Sequence, residues 1–219
     1  MVTNIFAFLI IFAGISSTVA NDPSPLQDIC VALPSSEVKV NGFPCKDDAK
    51  VTAGDFTFGG IAEAGLINNS FGSVVNTANV LQIPGLNTLG VSLARIDFAP
   101  DGGLNPPHTH PRATEIIFVL QGELEVGFIT TANKLISTTI HTGQIFLFPK
   151  GLVHFQKNNG NKLTSVISAF NSQLPGTQVI PTTLFAATPP VPDDVLAKTF
   201  QIDDKEVDKI KLKFAPKKP

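Results

Sequence analysis

Three of the four histidines fall in two short segments punctuated by Gly and Pro, and one segment also carries a glutamate. The first segment reads Gly102-Gly-Leu-Asn-Pro-Pro-His108-Thr-His110-Pro-Arg-Ala-Thr-Glu115, the second Gly143-Gln-Ile-Phe-Leu-Phe-Pro149-Lys-Gly151-Leu-Val-His154-Phe-Gln-Lys-Asn158. His108 and His110 are two apart, so on a strand both imidazoles project from one face. Glu115 has the wrong parity to join them on an unbroken strand. Pro111 removes the difficulty, because it cannot donate to a ladder and favours a break. A turn through Pro111 to Thr114 lets Glu115 open the next strand and point back. In the second segment a strand ends at Pro149, Gly151 turns the chain and His154 begins another strand. Three imidazoles and one carboxylate then make a cage for a transition-metal ion. His141 has no comparable partner and reads as a hairpin residue.

Four protein ligands would close a tetrahedral zinc site, whereas a six-coordinate ion would keep two open positions. Nitrogen and oxygen donors without thiolate suit Mn or Fe, with Ni and Cu allowed on affinity grounds. Three neutral imidazoles and one carboxylate around a divalent ion leave a net charge of about +1, which attracts small anions.

The elements that must hold these residues are short. Val91–Phe98, Glu115–Leu120, Glu123–Thr130, Gln144–Phe148 and Leu163–Phe170 are apolar or alternating runs bounded by turn residues, the pattern of a sandwich or barrel. Leu124, Val126 and Phe128 alternate with Glu123 and Glu125, predicting one buried and one wet face. Ile116 to Leu120 is apolar on both faces and calls for cover by a second sheet or another subunit. Residues 59–85 are rich in Gly, Asn and Ser and read as loop. After Phe170 the prolines mark an irregular crossing. Asp193 or Asp194 then caps a helix through Val195 to Lys198, and Asp203 with Glu206 forms a capping box for a second helix reaching Phe214. The basic tail, with Lys209, Lys211, Lys213, Lys217 and Lys218, reads as a solvated helix face and frayed end.

The 219-residue chain is long enough for one sizeable core with extensions, and its net charge of −2 gives no case for nucleic-acid binding. Ile5 to Ile15 is apolar but too short to span a bilayer, and small residues at Thr18 and Ala20 suit cleavage, so residues 1–20 read as a signal peptide. No other segment is long and apolar enough to cross a membrane. Cys30 and Cys45 are the only cysteines, and an even count outside the cell favours a disulfide. Asn68-Asn69-Ser70 is the only N-x-S/T sequon.

The run Asn105-Pro-Pro-His-Thr-His-Pro-Arg-Ala-Thr-Glu115 and the segment Gly143 through Asn158 resemble the two boxes of the cupin superfamily, specifically plant germins and germin-like proteins. The likeness extends to the signal peptide, the arm at residues 21–58 with its two cysteines, Phe170-Asn-Ser-Gln173 and the C-terminal region. It implies an all-β double-sheet jelly-roll barrel over residues 59–172, with residues 173–219 as a helical assembly region. It further implies a Cys30–Cys45 disulfide and Mn held by His108, His110, Glu115 and His154. The resemblance also implies a glycosylated apoplastic or cell-wall protein assembled as a hexamer, a trimer of dimers.

Germins oxidise oxalate, and by resemblance two asparagines hold that acid. One corresponds to Asn105; the other position is Ala94, which has no amide. An unmet partner in a buried site costs about 1–3 kcal/mol. Superoxide dismutation is therefore the leading activity, with oxalate or another small carboxylic acid as a second substrate class. A non-enzymatic cell-wall or ligand-binding cupin, its metal serving the fold, is the alternative.

Overall fold

Residues 27–39 and 41–215 are described by a computed structural model of the chain; residues 1–20, read as a signal peptide, and Lys217 and Lys218 lie outside them. The strands run β1 Ser73–Ala78, β2 Ser92–Phe98, β3 Leu104–Thr109, β4 Glu115–Gln121, β5 Glu123–Ile129, β6 Leu135–His141, β7 Ile145–Phe148, β8 His154–Lys157, β9 Thr164–Phe170 and β10 Gln178–Val179. They form two five-stranded sheets, ordered β1-β2-β9-β4-β7 and β10-β3-β8-β5-β6. Every pairing is antiparallel. This is the double-sheet jelly roll that the resemblance implied.

Alternation in the sequence decides which residues fill the space between the sheets. Leu124 and Val126 of β5 are fully buried, while Glu123 and Glu125 stay half-buried. Burying each aliphatic side chain stabilises the fold by roughly 1.5–3 kcal/mol. Ile117 and Val119 of β4 join the same core with Phe98, Phe148 and Val166. The other face of β4 is as apolar as the sequence suggested, and Ile116, Phe118 and Leu120 are 42%, 42% and 41% exposed.

Three local expectations need correction. Residues 73–78, inside the stretch read as loop, form β1, because Ser73 to Ala78 pair residue for residue with Phe98 to Leu93 on the sheet edge. Asp193 and Asp194 lie inside their helix, Asp193–Phe200, rather than capping it; Pro192 holds the cap position without a side-chain bond. Their charges still favour the first turn through the helix dipole. Ile180–Phe185, read as irregular, is a short helix with Pro181 in its first turn, where the missing N–H costs nothing. The last helix, Asp204–Phe214, starts as expected, with Asp203 Oδ1 accepting from the Glu206 backbone N–H at 2.8 Å.

The arm is fastened in two ways. Cys30 and Cys45 are disulfide-bonded across 15 positions of sequence, and the Ala32 N–H donates to Pro84 O at 2.8 Å. Closing a loop of this length stabilises the fold by about 3 kcal/mol on the chain-entropy model. Replacing both cysteines by serine is expected to lower stability by about that amount. Denaturant midpoints measured with and without the bridge check this; equal midpoints would show that the arm's other contacts suffice.

Candidate metal centre

The four predicted ligands meet inside the barrel, supplied by both sheets. His108 lies on β3, His110 just beyond it, and His154 opens β8 directly opposite His108. Glu115 opens β4 in the other sheet, paired with Phe148 on one side and Phe170 on the other. The turn at Pro111 and Arg112 reverses the chain between His110 and Glu115, as strand parity required. One ligand atom from each residue lies within 4.8 Å of the others. All four side chains are buried.

Backbone carbonyls fix the imidazole tautomers. His108 Nδ1 donates to Pro106 O at 2.8 Å, His110 Nδ1 to Gly176 O at 2.6 Å, and His154 Nδ1 to Leu152 O at 2.8 Å. A carbonyl only accepts, so each proton sits on Nδ1 and each Nε2 carries a lone pair. Two of those nitrogens face a carboxylate: His110 Nε2 and His154 Nε2 both lie 3.1 Å from Glu115 Oε2. Electron pairs this close repel unless a positive charge lies between them, a proton on the imidazole in the metal-free protein or a metal ion when one is bound. Donors 3.1 Å apart also suit bonds of about 2.2 Å to one shared ion. The donor set therefore fits a divalent transition metal.

Two polar residues outside the predicted set complete the surroundings. Ser168 Oγ donates to Glu115 Oε1 at 2.6 Å, leaving Oε2 to face the imidazoles. Gln156 Oε1 accepts from Asn105 Nδ2 at 2.8 Å, and Gln156 is fully buried. Both could have been sought by parity, since Gln156 lies two residues beyond His154 and Ser168 two before Phe170. Asn105 reaches the site although it is three residues from His108, because a register shift at Pro106-Pro107 breaks the alternation. Ala94 also lines the cavity beside the ligands. His141 lies elsewhere, at the end of β6, with its Nδ1 3.6 Å from Glu123 Oε2 across the hairpin.

Burial, aided by the neighbouring His154, pushes the His108 imidazole down to about 3 from its ordinary 6.5. Burial pushes the Glu115 carboxyl up, but its contacts with His110 and His154 outweigh this and hold it well below the usual carboxylate range. Both shifts act in the same direction on stability. Between pH 6.5 and 3 the unfolded chain protonates residue 108 while the folded chain does not, so acid favours unfolding. Below about 4.5 the unfolded chain also takes up the Glu115 proton ahead of the folded one. The metal-free protein is thus expected to melt at progressively lower temperature from pH 7 to pH 4. A flat profile in that window would contradict the assignment.

Comparison with known proteins places these features in context. Residues 59–208 match the family model described as Cupin. Germin-like protein subfamily 2 member 4 of Arabidopsis thaliana is 66% identical over 201 residues, covering 91% of each chain. Nectarin-1 of Nicotiana langsdorffii x Nicotiana sanderae is 67% identical over 199 residues, covering 91% of this chain and 86% of its own. Among solved structures, an oxalate oxidase in complex with the substrate analogue glycolate superposes with a TM-score of 0.85 at 44% identity. That match covers 89% of this chain and 98% of the oxidase.

Proposed function

Since the chain belongs to the cupin family, among its germin-like proteins, we propose that it is a secreted manganese protein of the plant apoplast that dismutates superoxide. The observation that carries this reading is the gathering of three imidazoles and the Glu115 carboxylate within 4.8 Å, each imidazole held by an Nδ1–H bond to a backbone carbonyl. Manganese is favoured over iron by the resemblance, and both suit imidazole and carboxylate donors without thiolate. When bound, manganese supplies one-electron chemistry by alternating between its +2 and +3 states. The chain's residues do the rest. Ser168 and the three carbonyls hold the ligands in place, burial excludes bulk water, and the net positive charge draws in a small anion.

A small carboxylic acid is the second substrate class, supported by the glycolate complex of the similar oxalate oxidase. Oxalate itself is disfavoured, because Ala94 offers no amide opposite Asn105. Metal analysis of the secreted protein, with superoxide and oxalate assays on the same sample, tests both. A manganese-loaded sample without dismutase activity would refute the first reading. Oxalate-dependent peroxide release would restore oxalate. Large stabilisation by metal with neither activity would leave a binding protein.

Secretion is supported by the disulfide and by the signal-peptide pattern. Among the described residues no helix is long and apolar enough to cross a membrane. Asn68 is exposed in the loop ahead of β1, which suits a glycan there. Ile116, Phe118 and Leu120 on the outer face of β4, with Leu93, Ile145 and Leu147 on the same sheet, support assembly into the hexamer, with the C-terminal helices as docking elements. Sedimentation of the purified protein reads the oligomeric state directly.

A further inference from the structure

The cavity beside the ligands has a volume of about 280 Å³. Its polar end carries Asn105, His108, His110 and Glu115. Val75, Ala94, Ile96, Phe170 and Val179 make most of the remaining wall. The other polar side chains along it are engaged within the protein. Ser92 Oγ donates to Ser172 O at 2.7 Å, Thr77 Oγ1 lies 3.2 Å from Gln82 Oε1, and Asn79 Oδ1 accepts from the Leu81 N–H at 2.8 Å. Thr177 Oγ1 lies 3.4 Å from His110 Nδ1. Among the described residues that line the cavity there is no Lys or Arg. Asn105 donates one N–H to Gln156 Oε1 at 2.8 Å.

We propose that the site takes a monocarboxylate with a branched aliphatic or phenyl substituent, its carboxylate at the metal and Asn105 and its substituent against the apolar wall. This rests on the reading that the centre holds a metal with positions open to a small anion. Charge supports a monoanion: a divalent ion with one carboxylate ligand is neutralised by a single negative charge. A second carboxylate would leave water for a wall that offers no cation, and an unpaired buried charge is strongly disfavoured. Shape supports the substituent. An apolar cavity of about 150 Å³ admits benzene, so the present one has room for a phenyl group together with a carboxylate. Ala94 contributes to both arguments, because the same methyl group that withholds an amide also leaves space.

Calorimetric titration of the manganese-loaded and metal-free protein with acetate, 3-methylbutanoate, phenylacetate, oxalate and malonate tests the proposal. Affinity is expected to rise roughly fourfold per buried methylene, and phenylacetate is expected to bind at least about tenfold tighter than acetate. Phenylacetate should also bind tighter than either dicarboxylate, and only when metal is present. Val75→Trp, at the half-exposed rim, should weaken phenylacetate more than acetate. Ala94→Asn should shift the ranking toward oxalate. If oxalate or malonate binds the wild type as tightly as phenylacetate, in a metal-dependent way, this inference falls while the small-anion reading stands. If no carboxylate binds in a metal-dependent way, the inference falls together with the carboxylate reading beneath it.

Discussion

Replacing His154 by alanine is expected to reduce the metal content of the secreted protein from near-stoichiometric to trace. His154 is 1% exposed and its Nε2 lies 3.1 Å from Glu115 Oε2, so no other side chain substitutes for it without rebuilding the start of β8. Losing a group that merely orients a ligand costs about 10–100-fold in metal affinity; losing the donor itself should cost more than about 100-fold. A factor of 100 is about 2.7 kcal/mol, so thermal stability measured in excess metal should fall by a similar amount relative to the metal-free difference. Elemental analysis and paired melting curves read the two effects. His141→Ala provides the contrast, because the His141 side chain is exposed and its Nδ1 faces Glu123 across the hairpin, away from the four clustered residues; it should retain its metal. Metal retained at wild-type level by His154→Ala would remove this residue from the ligand set.

The clustering of the four candidate ligand residues was legible because metal chemistry restricts residue type and strand geometry restricts parity. His108 and His110 share a face by spacing alone, and Pro111 supplies the break that brings Glu115 back. The alternation in β5 was legible for the same reason: Leu124 and Val126 sit between glutamates. The residues that hold the ligands were harder to find. Ser168 reaches Glu115 only because β9 pairs with β4 in one particular register, and nothing local to Thr164–Phe170 encodes that neighbour. Gln156 serves Asn105 through the β3–β8 pairing, across a register shift at two prolines. Edge elements failed for a related reason. β1 lies in a polar, Gly-rich stretch with little alternation, and its strand conformation comes from the hydrogen bonds offered by β2. β6, from Leu135 to His141, was likewise absent from the expected strands; only Ile140 is buried, so its strand form depends on its hairpin with β5. Patterns within one segment identify what a side chain can do, whereas pairing between segments decides whom it meets.

That distinction gives Phe148 a double role. The residue is 1% exposed in the core, pairs with Glu115 across β4 and β7, and stacks its ring on His154 with centroids 4.5 Å apart and planes 24° from parallel. It also meets Phe146 edge-on at 5.1 Å. Truncating a buried phenylalanine to alanine removes its transfer free energy and leaves a cavity, so Phe148→Ala is expected to cost about 3–5 kcal/mol. Packing alone would make that loss the same with or without metal. The stacking predicts otherwise, since without the ring the His154 imidazole can tilt about its Nδ1–H bond to Leu152 O and its lone pair no longer points at one place. The loss should therefore be larger in the metal-loaded protein than in the metal-free one, with the excess appearing as weaker metal affinity. Phe148→Leu separates the contributions: it preserves most of the volume at a cost of about 1–2 kcal/mol but removes the flat face. Denaturant unfolding of both forms at one protein concentration closes the thermodynamic cycle. Equal losses with and without metal, together with unchanged metal affinity in Phe148→Leu, would reduce the ring to a core filler and leave His154 oriented by its bond to Leu152 O and its contact with Glu115.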